Sequence, residues 1–529
     1  MREPEQSPLS VGGAAFRRFR GSDRVAVVWA GIILLVSVAG LLVVHTYPFT
    51  DLPNHIAEAV ILKHATHSSS PLADYFSLRV GPAQPTIAHM ILAACFPNPE
   101  MGMRLLYMIY VIAVPLLMAV LARRCDGDHV LAILSVLTLW NYNCLWGFTG
   151  FTLAIPMLVV YLLTHIRFAE NRLWRNGLLL AGALCLVYWF QVLAFALAAA
   201  CYVLFEGWLL MKSRPRRLSL GPLLPLLPGL LLLAWWRFAG EEFGGEHPGD
   251  FLRQYYVTQF PQSFAARWLR LLVNDGRGLA AGALGVSVAA AGAFLLIGLP
   301  LAGLWLARHR HTPLTPARVA TLSITFASLA FYFFLPGHLP GENYIYQRFS
   351  ALFLLGLAGV ATWATPPEVG RFARKLALSA ASVYALLWFQ FFWGFRAEDR
   401  EFCRFMPRTP EMAQATIGAL VDDADYRGHP ALIHYNNYQI IWNHAPAPTR
   451  LVGYRFGAIR RGAIHLPKYM EWVERAPSEQ LMEVVDRFAG LDYLMTHGDR
   501  PRALLGDNPD YALVKESAHW ALYRHCARR

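Results

Sequence analysis

Long apolar blocks recur along this sequence and constrain its fold more than any other feature. Eleven of them approach the roughly 20 residues that a helix needs to cross the ~30 Å hydrocarbon core of a bilayer. They cover approximately residues 25–44, 103–122, 129–145, 150–166, 176–190, 192–211, 219–236, 279–306, 317–335, 349–365 and 376–395. Only 16% of the residues are charged, which is too few for a soluble surface. The sequence therefore predicts a membrane all-α fold, a polytopic bundle of about eleven transmembrane helices.

Basic residues predict how these spans are oriented. Arginine and lysine clusters precede the first block and follow the even-numbered blocks, whereas the odd connections are acidic or uncharged. Basic loops stay on the cytoplasmic side. We therefore expect residues 1–24 to be a cytoplasmic tail, 25–395 the multi-span domain of a plasma (inner) membrane protein, and 396–529 an extracytoplasmic domain. The net charge of +12 belongs to these loops, so the expected partner is the lipid bilayer and not nucleic acid.

Two further segments are expected at the outer face. Pro82–Phe96 is too short for a span and predicts a juxtamembrane helix on the outer surface. Phe251–Leu272, with Arg253, Arg267 and Arg270 among its apolar residues, predicts a helix lying flat in the interface, either as a lid over a lipid substrate or as a plain surface helix. At Phe190 and Gln191 two spans must reverse through a tight turn.

The chain after Phe395 has lower hydrophobicity and mixed charge, which predicts a soluble α/β domain. Its expected elements are strands at Ala431–Tyr435 and Asp492–Thr496, a helix at Ser478–Ala489, and a hairpin of Tyr511–Lys515 with Trp520–Arg524. Cys403 and Cys526 both fall in this domain. They can form a disulfide, but two unpaired thiols are slightly favoured.

The first outer loop carries the most reactive residue pattern. Asp51, His55 and Glu58 are spaced i, i+4, i+7, so a helix starting near Pro53 places them on one face. A carboxylate oriented by an imidazole can take a proton from an acceptor hydroxyl, which makes these three residues the catalytic candidates. A divalent cation, Mg²⁺ or Mn²⁺, between Asp51 and His55 is an alternative. Equally, Asp51 or Thr50 could simply cap the helix.

The outer loop at residues 336–348 supplies candidates for binding a phosphate. Arg348 opens a span at the interface, where a guanidinium can bind phosphate through two hydrogen bonds. Tyr344, Tyr346 and His338 add side-chain donors. The alternative is an arginine that reaches lipid headgroups while its stem stays in the apolar layer.

Amides near the same outer ends are candidates for binding substrate. Asn141 and Asn143 lie in the second outer loop beside Trp146, on which a sugar ring could stack, and Gln191 lies at the tight turn. For Trp146 we favour aromatic anchoring of the loop at the interface.

This arrangement resembles the GT-C superfamily of membrane glycosyltransferases, including mannosyltransferases and aminoarabinose transferases. The resemblance lies in Asp51 just after the first span, the juxtamembrane segment Pro82–Phe96, Arg123-Arg124 ending the second span, the paired spans around Gln191 and the external C-terminal domain. It implies a polyprenyl-phosphate-linked sugar as donor, Asp51 as general base, and Arg348 with Tyr344 on the donor phosphate. The chain departs from the family in having Leu52 after Asp51 and no acid in the second loop, places that His55 or Glu58 can fill.

The resemblance implies a single displacement that inverts the anomeric centre. Asp51 would withdraw the acceptor proton while Arg348 stabilises charge on the leaving phosphate. The acceptor could be a glycan, a lipid or a protein. Two rival interpretations are a non-enzymatic lipid or polysaccharide transporter and a structural subunit of an envelope assembly. Ionisable residues are nearly absent from the middle of the apolar blocks, which disfavours the transporter.

Overall fold

The protein is an α-helical membrane bundle with a small C-terminal sheet. The computed structural model describes residues 21–67, 69–213, 221–239, 264, 266–268, 270–271, 283–309, 313–339, 342–449, 459–466 and 478–526. Most of Phe251–Leu272, including Arg253, lies outside the described residues, as do residues 1–20 of the expected tail.

Helices account for most of the described chain. In chain order they are α1 (Gly21–Leu42), α2 (Leu52–His64), α3 (Leu72–Tyr75), α4 (Ala88–Ala94), α5 (Pro99–Arg124), α6 (Tyr142–Leu145), α7 (Thr149–Glu170), α8 (Trp174–Phe190), α9 (Val192–Ser213), α10 (Leu227–Ala239), α11 (Ala283–His309), α12 (Pro316–Phe334), α13 (Arg348–Ala364), α14 (Pro367–Phe405), α15 (Tyr438–Asn443), α16 (Ser478–Arg487) and α17 (Asp499–Gly506). Short 3₁₀ helices cover His129–Thr138, Gly221–Leu226, Pro410–Ala413 and Tyr435–Asn437.

Seven segments of the described chain are long and apolar enough to cross a membrane. They are Arg24–Leu42, Pro99–Arg124, Thr149–Glu170, Val192–Lys212, Gly221–Phe238, Pro316–Phe334 and Pro367–Phe405. Each coincides with one of the predicted spans. Of the other four apolar blocks, three fall on α8, α11 and α13, and the polytopic all-α architecture is confirmed.

The remaining block, residues 129–145, is not one continuous helix. Its first part is the 3₁₀ helix His129–Thr138 and its end is the single turn α6. Ten residues of 3₁₀ helix rise only about 20 Å. The segment is buried between α5, α13 and α14, so tertiary packing holds a conformation that hydropathy alone cannot distinguish from an α-helix.

The last apolar helix, α14, is much longer than a bilayer requires. Its 39 residues correspond to about 58 Å of helix, roughly twice the hydrocarbon thickness. The expected domain boundary at residue 395 therefore falls inside a continuous helix. Beyond that point, the Asp399 carboxylate accepts hydrogen bonds from the backbone N–H groups of His45 (2.9 Å) and Thr46 (2.7 Å). These bonds fix the chain as it leaves α1.

The C-terminal region forms a four-stranded sheet in the order β4–β6–β8–β7. The strands of the protein are β1 (Phe76–Leu78), β2 (His338–Leu339), β3 (Glu342–Asn343), β4 (Ile417–Val421), β5 (Ile459–Arg461), β6 (Tyr493–His497), β7 (Tyr511–Glu516) and β8 (Trp520–His525). Strands β4 and β6 are parallel, and the other pairings in this sheet are antiparallel. The predicted small α/β domain is confirmed, with its helix, its strand near residue 493 and its hairpin.

One predicted strand of this domain is wrong. Ala431–Tyr435 forms a turn that leads into the 3₁₀ helix Tyr435–Asn437. The apolar run is buried, and a short buried run does not specify a strand. Cys403 and Cys526 are both free thiols.

The C-terminal region is joined to the first outer loop. Strand β1 pairs antiparallel with β5, with Phe76 opposite Arg461, and α15 packs on α2. The Asn437 amide donates to Asn54 Oδ1 at 2.7 Å. Residues near 430 are thereby placed beside the start of α2.

Candidate functional site

Asp51 lies at the start of α2 and is paired with a histidine from the C-terminal region. Its Oδ1 is 3.0 Å from His434 Nε2, and the two side chains are 18% and 2% exposed. The Asp51 side chain makes no capping hydrogen bond, so Asp51 is not a simple side-chain cap of α2. With a proton on Nε2, His434 donates to Asp51 and orients a carboxylate that stays partly exposed.

A second histidine, His429, contacts Thr50, the residue before Asp51. Its Nε2 lies 2.8 Å from Thr50 Oγ1 and also contacts the carbonyl oxygen of Leu145. Burial lowers the pKa of His429 to about 4, although the Leu145 carbonyl and Asp51 act in the opposite direction. His429 is therefore neutral at pH 7, and Asp51 faces uncharged neighbours on this side.

The second outer loop packs directly on Asp51. The Asp51 N–H donates to Trp146 O at 3.1 Å. Gly147 has φ +70°, and a Cβ there would lie 2.6 Å from the backbone nitrogens of Asp51 and Leu52. Only glycine combines this conformation with so close an approach. The backbone of the second outer loop thus fixes the position of Asp51.

The same loop holds Arg348. Asn143 Nδ2 donates to the carbonyl oxygen of Arg348 at 3.1 Å, and the guanidinium carbon lies 4.0 Å from the centre of the Phe148 ring. Arg348 is buried, at 4% exposure. It is therefore held inside the protein and does not reach out to headgroups, and it shares one supporting loop with Asp51.

Aromatic rings fill the space beside Arg348. The rings of Tyr344 and Trp146 are 4.4 Å apart, and Tyr142 lies 5.9 Å from Tyr344. Tyr344 has φ +57°, a costly conformation for a bulky residue that surrounding contacts must maintain. Burial raises the pKa of Tyr142, and Tyr344 adds to the rise while Arg348 lowers it. Tyr142 therefore stays protonated at neutral pH and can donate a hydrogen bond.

Two arginines of the predicted interfacial segment also reach this cluster. Arg270 Nη1 donates to the Tyr346 hydroxyl at 2.9 Å. Arg267 is buried over the face of the Tyr346 ring, 3.8 Å from its centre, and donates to the carbonyl oxygens of Phe333 and Leu335. Arg267 therefore braces α12, whereas Arg270, which is exposed, places a second guanidinium beside the Tyr346 hydroxyl.

His55 and Glu58 form a polar group with His89 from α4. His55 Nδ1 is 3.4 Å from Glu58 Oε2 and 3.3 Å from His89 Nε2. His89 is fully enclosed, and burial holds its pKa well below the ordinary value. Among the described residues, Asp51 and His55 belong to no cluster of three ligands that could share a cation. Asp51 thus contacts a histidine of the C-terminal region, whereas His55 and Glu58 contact each other and His55 contacts His89.

Of the remaining predicted site residues, Asn141 and Gln191 bond to neighbouring protein groups and His338 lies at the surface. Asn141 is fully buried, accepts from Asn143 N–H at 2.8 Å and donates to Thr138 O at 2.7 Å, which makes it a loop cap. Gln191 lies in the expected tight turn between α8 and α9, where it accepts from the Thr86 hydroxyl at 3.0 Å. His338 is exposed on the β2–β3 hairpin.

Sequence reasoning missed His429 and His434 as site residues. They come from a segment whose apolar run predicted a strand, and Thr50 and His429 are 379 positions apart. The available signal was the presence of two histidines within an apolar run. Buried imidazoles need partners, so their positions pointed to a polar site without identifying it.

Comparisons with known proteins show the fold to which these residues belong. The sequence matches no family model and no curated protein. The structure is similar to the crystal structure of ArnT from Cupriavidus metallidurans bound to undecaprenyl phosphate, with a TM-score of 0.51 and 14% sequence identity, over 95% of this chain and 98% of that chain. The predicted fold is therefore shared with this membrane protein over nearly the whole of both chains.

Proposed function

We propose that this protein is a membrane glycosyltransferase that moves a sugar from a polyprenyl-phosphate donor to an acceptor hydroxyl. The observation that carries the proposal is the second outer loop, which holds an oriented carboxylate, Asp51, and a buried guanidinium, Arg348, on one scaffold. The fold shared with a structure that binds undecaprenyl phosphate supports a lipid-linked donor.

Asp51 acts as the general base in this proposal. His434 holds the Asp51 carboxylate in place through the 3.0 Å contact, which makes it a positioning residue. A proton taken from the acceptor hydroxyl passes to Asp51 as the oxygen attacks the anomeric carbon. One displacement without a covalent intermediate inverts the anomeric configuration.

Arg348 and Arg270 bind the donor phosphate, together with the hydroxyls of Tyr142, Tyr344 and Tyr346. Negative charge develops on the leaving lipid phosphate as the glycosidic bond breaks. Fixed cationic donors in a water-poor site stabilise that charge without reorganising. The aromatic cluster around Tyr344 excludes water and gives the sugar ring a surface for stacking.

The charge pattern of the loops supports an outer-face location for this site, with the N-terminus cytoplasmic and the C-terminus extracytoplasmic in the plasma (inner) membrane. Residues 396–529 then contribute to the acceptor side of the site through His429 and His434. A glycan, lipid or protein hydroxyl presented outside the membrane is the acceptor class.

Transfer from radiolabelled polyprenyl-phosphate sugars by full-length protein in proteoliposomes tests the proposal. We expect Asp51→Asn to lower the transfer rate by about 10²- to 10⁴-fold and Arg348→Ala by about 10²- to 10³-fold. NMR of the product should show an inverted anomeric configuration.

Matched controls are Asp74→Asn, a carboxylate of the first outer loop away from the site, and Arg175→Ala, an exposed arginine in the first turn of α8. Both should keep the wild-type rate. Full transfer by inserted, normally folded Asp51→Asn and Arg348→Ala proteins would exclude the proposed roles. Movement of lipid or glycan across the bilayer without transfer would favour a transporter instead.

A further inference from the structure

Two glutamates and a histidine meet where α14 reaches the C-terminal sheet. Glu398 and Glu401 lie on the last turns of α14, and His519 lies in the turn between β7 and β8. One ligand atom from each of the three lies within 4.8 Å of the other two. Ligands bound at about 2 Å to one ion are separated by roughly 3 to 4 Å, so a small adjustment lets them share it.

The Glu401 carboxylate is held in place by the turn between β7 and β8. Glu401 Oε1 accepts from the Ser517 hydroxyl and the His519 N–H, both at 2.7 Å. Its Oε2 faces His519 Nδ1 at 2.7 Å. One carboxylate oxygen thus fixes the β7–β8 turn, and the other points to the ligand nitrogen.

A buried histidine provides an independent observation. His497 ends β6, is 4% exposed and points its Nε2 at Glu398 Oε1 from 3.2 Å. Its Nδ1 is buried without a hydrogen-bond partner among the described residues. Because a carboxylate can only accept, His497 donates from Nε2 and positions Glu398, as outer-shell residues do around metal ligands.

The charge of the group favours a cation. Among the described residues, Glu398 and Glu401 form ion pairs with His497 and His519 and with no lysine or arginine. Two carboxylates close together repel each other when both are ionised. Imidazole and carboxylate ligands suit Zn²⁺, and His519, at 58% exposure, leaves room for water to complete the coordination.

We propose that Glu398, Glu401 and His519 bind one divalent transition-metal ion, with Zn²⁺ as the best-suited ion. His497 holds Glu398 in its binding orientation. The ion fastens the C-terminal sheet to the end of α14, the helix whose Asp399 also anchors the start of the first outer loop. This site is separate from Asp51 and His434, and its role is structural.

Tag-free full-length protein, stripped with a chelator and reloaded with Zn²⁺, tests the site. Elemental analysis after dialysis should find about one zinc per chain, and Co²⁺ substitution should give the visible absorption of a bound ion. Reloading should raise the unfolding temperature. His519→Ala and Glu401→Gln should lose both the zinc and the shift, and His497→Ala should bind about 10- to 100-fold more weakly.

His465→Ala removes an exposed histidine from another segment and should retain the metal. Zinc lost in Asp51→Asn but retained in His519→Ala would place the ion at the transfer site and overturn the proposal. Wild-type protein that binds no zinc would also overturn it. The proposal would also be overturned if His519→Ala lowered the unfolding temperature of the metal-free protein while zinc changed the unfolding temperature of neither the wild type nor the variant. The ion pair between His519 and Glu401 would then account for the stability without a metal. None of these readouts depends on transferase activity.

Discussion

Two carboxylates, those of Glu206 and Asp51, differ in how completely neighbouring side chains pair with them and enclose them. Glu206 is 2% exposed on α9, and both of its oxygens are occupied: Oε1 by His165 Nε2 at 2.9 Å and Oε2 by Arg172 Nη2 at 2.8 Å. Arg172 binds it through two nitrogens. Asp51 is 18% exposed beside His434, so it can still meet a substrate.

The difference separates an ionic group that holds helices together from one suited to chemistry. The Glu206 cluster links α7, α9 and the loop before α8, and the His165 ring is further enclosed by Tyr202 at 4.3 Å. Charges buried in this way need complete pairing because desolvation is costly. A general base instead needs an accessible oxygen whose orientation is already fixed.

The largest effect should come from breaking the Glu206 cluster. Glu206→Ala leaves His165 and Arg172 without their shared partner, which should destabilise the protein by about 3 kcal/mol or more. Unfolding of the purified protein in detergent measures this loss. The rate of transfer per folded molecule should stay unchanged. An unaltered stability together with abolished transfer would reverse the roles of the two carboxylates.

A slightly smaller effect should appear as a pH dependence on the Asp51 side. Burial holds the folded-state pKa of His429 at about 4, below its ordinary value of 6.5. Above pH 6.5 the His429 side chain is neutral in both the folded and the unfolded chain, so its contribution to the free energy of unfolding is fully present. As the pH falls from 6.5 towards 4, only the unfolded chain gains this proton, and on the order of 3 kcal/mol is lost.

His429→Gln isolates this contribution, because the amide can replace the contacts to Thr50 and Leu145 but does not titrate. The free energy of unfolding of the wild type minus that of the variant, measured between pH 7.5 and 4.5, cancels the contributions of the other histidines. The nearby groups are the Asp51 carboxylate, the Thr50 hydroxyl and the Trp146 ring. A difference that does not change with pH would show that the pKa of His429 is the same in the folded and unfolded chains, which contradicts this prediction.

Local patterns in the sequence predicted much of this architecture. The apolar blocks, the reversal at Gln191 and the hairpin near residue 520 each depend on neighbouring residues. The site depended on pairings across hundreds of positions, such as Asp51 with His434, which no periodicity encodes. The helical spacing of His55 and Glu58 predicted their contact with each other, but not the contact of His55 with His89 on α4.

An exposed ion pair supplies the matched control for the Glu206 cluster and the smallest expected effect. Arg124 Nη1 and Glu170 Oε2 are 3.4 Å apart, but their side chains are 52% and 44% exposed. Water solvates both groups when the pair is broken, so Arg124→Ala should change the free energy of unfolding by less than about 1 kcal/mol. The same detergent unfolding assay serves for both variants. If Arg124→Ala were as destabilising as Glu206→Ala, burial would not be what distinguishes the two pairs, and the structural role of Glu206 would need another cause.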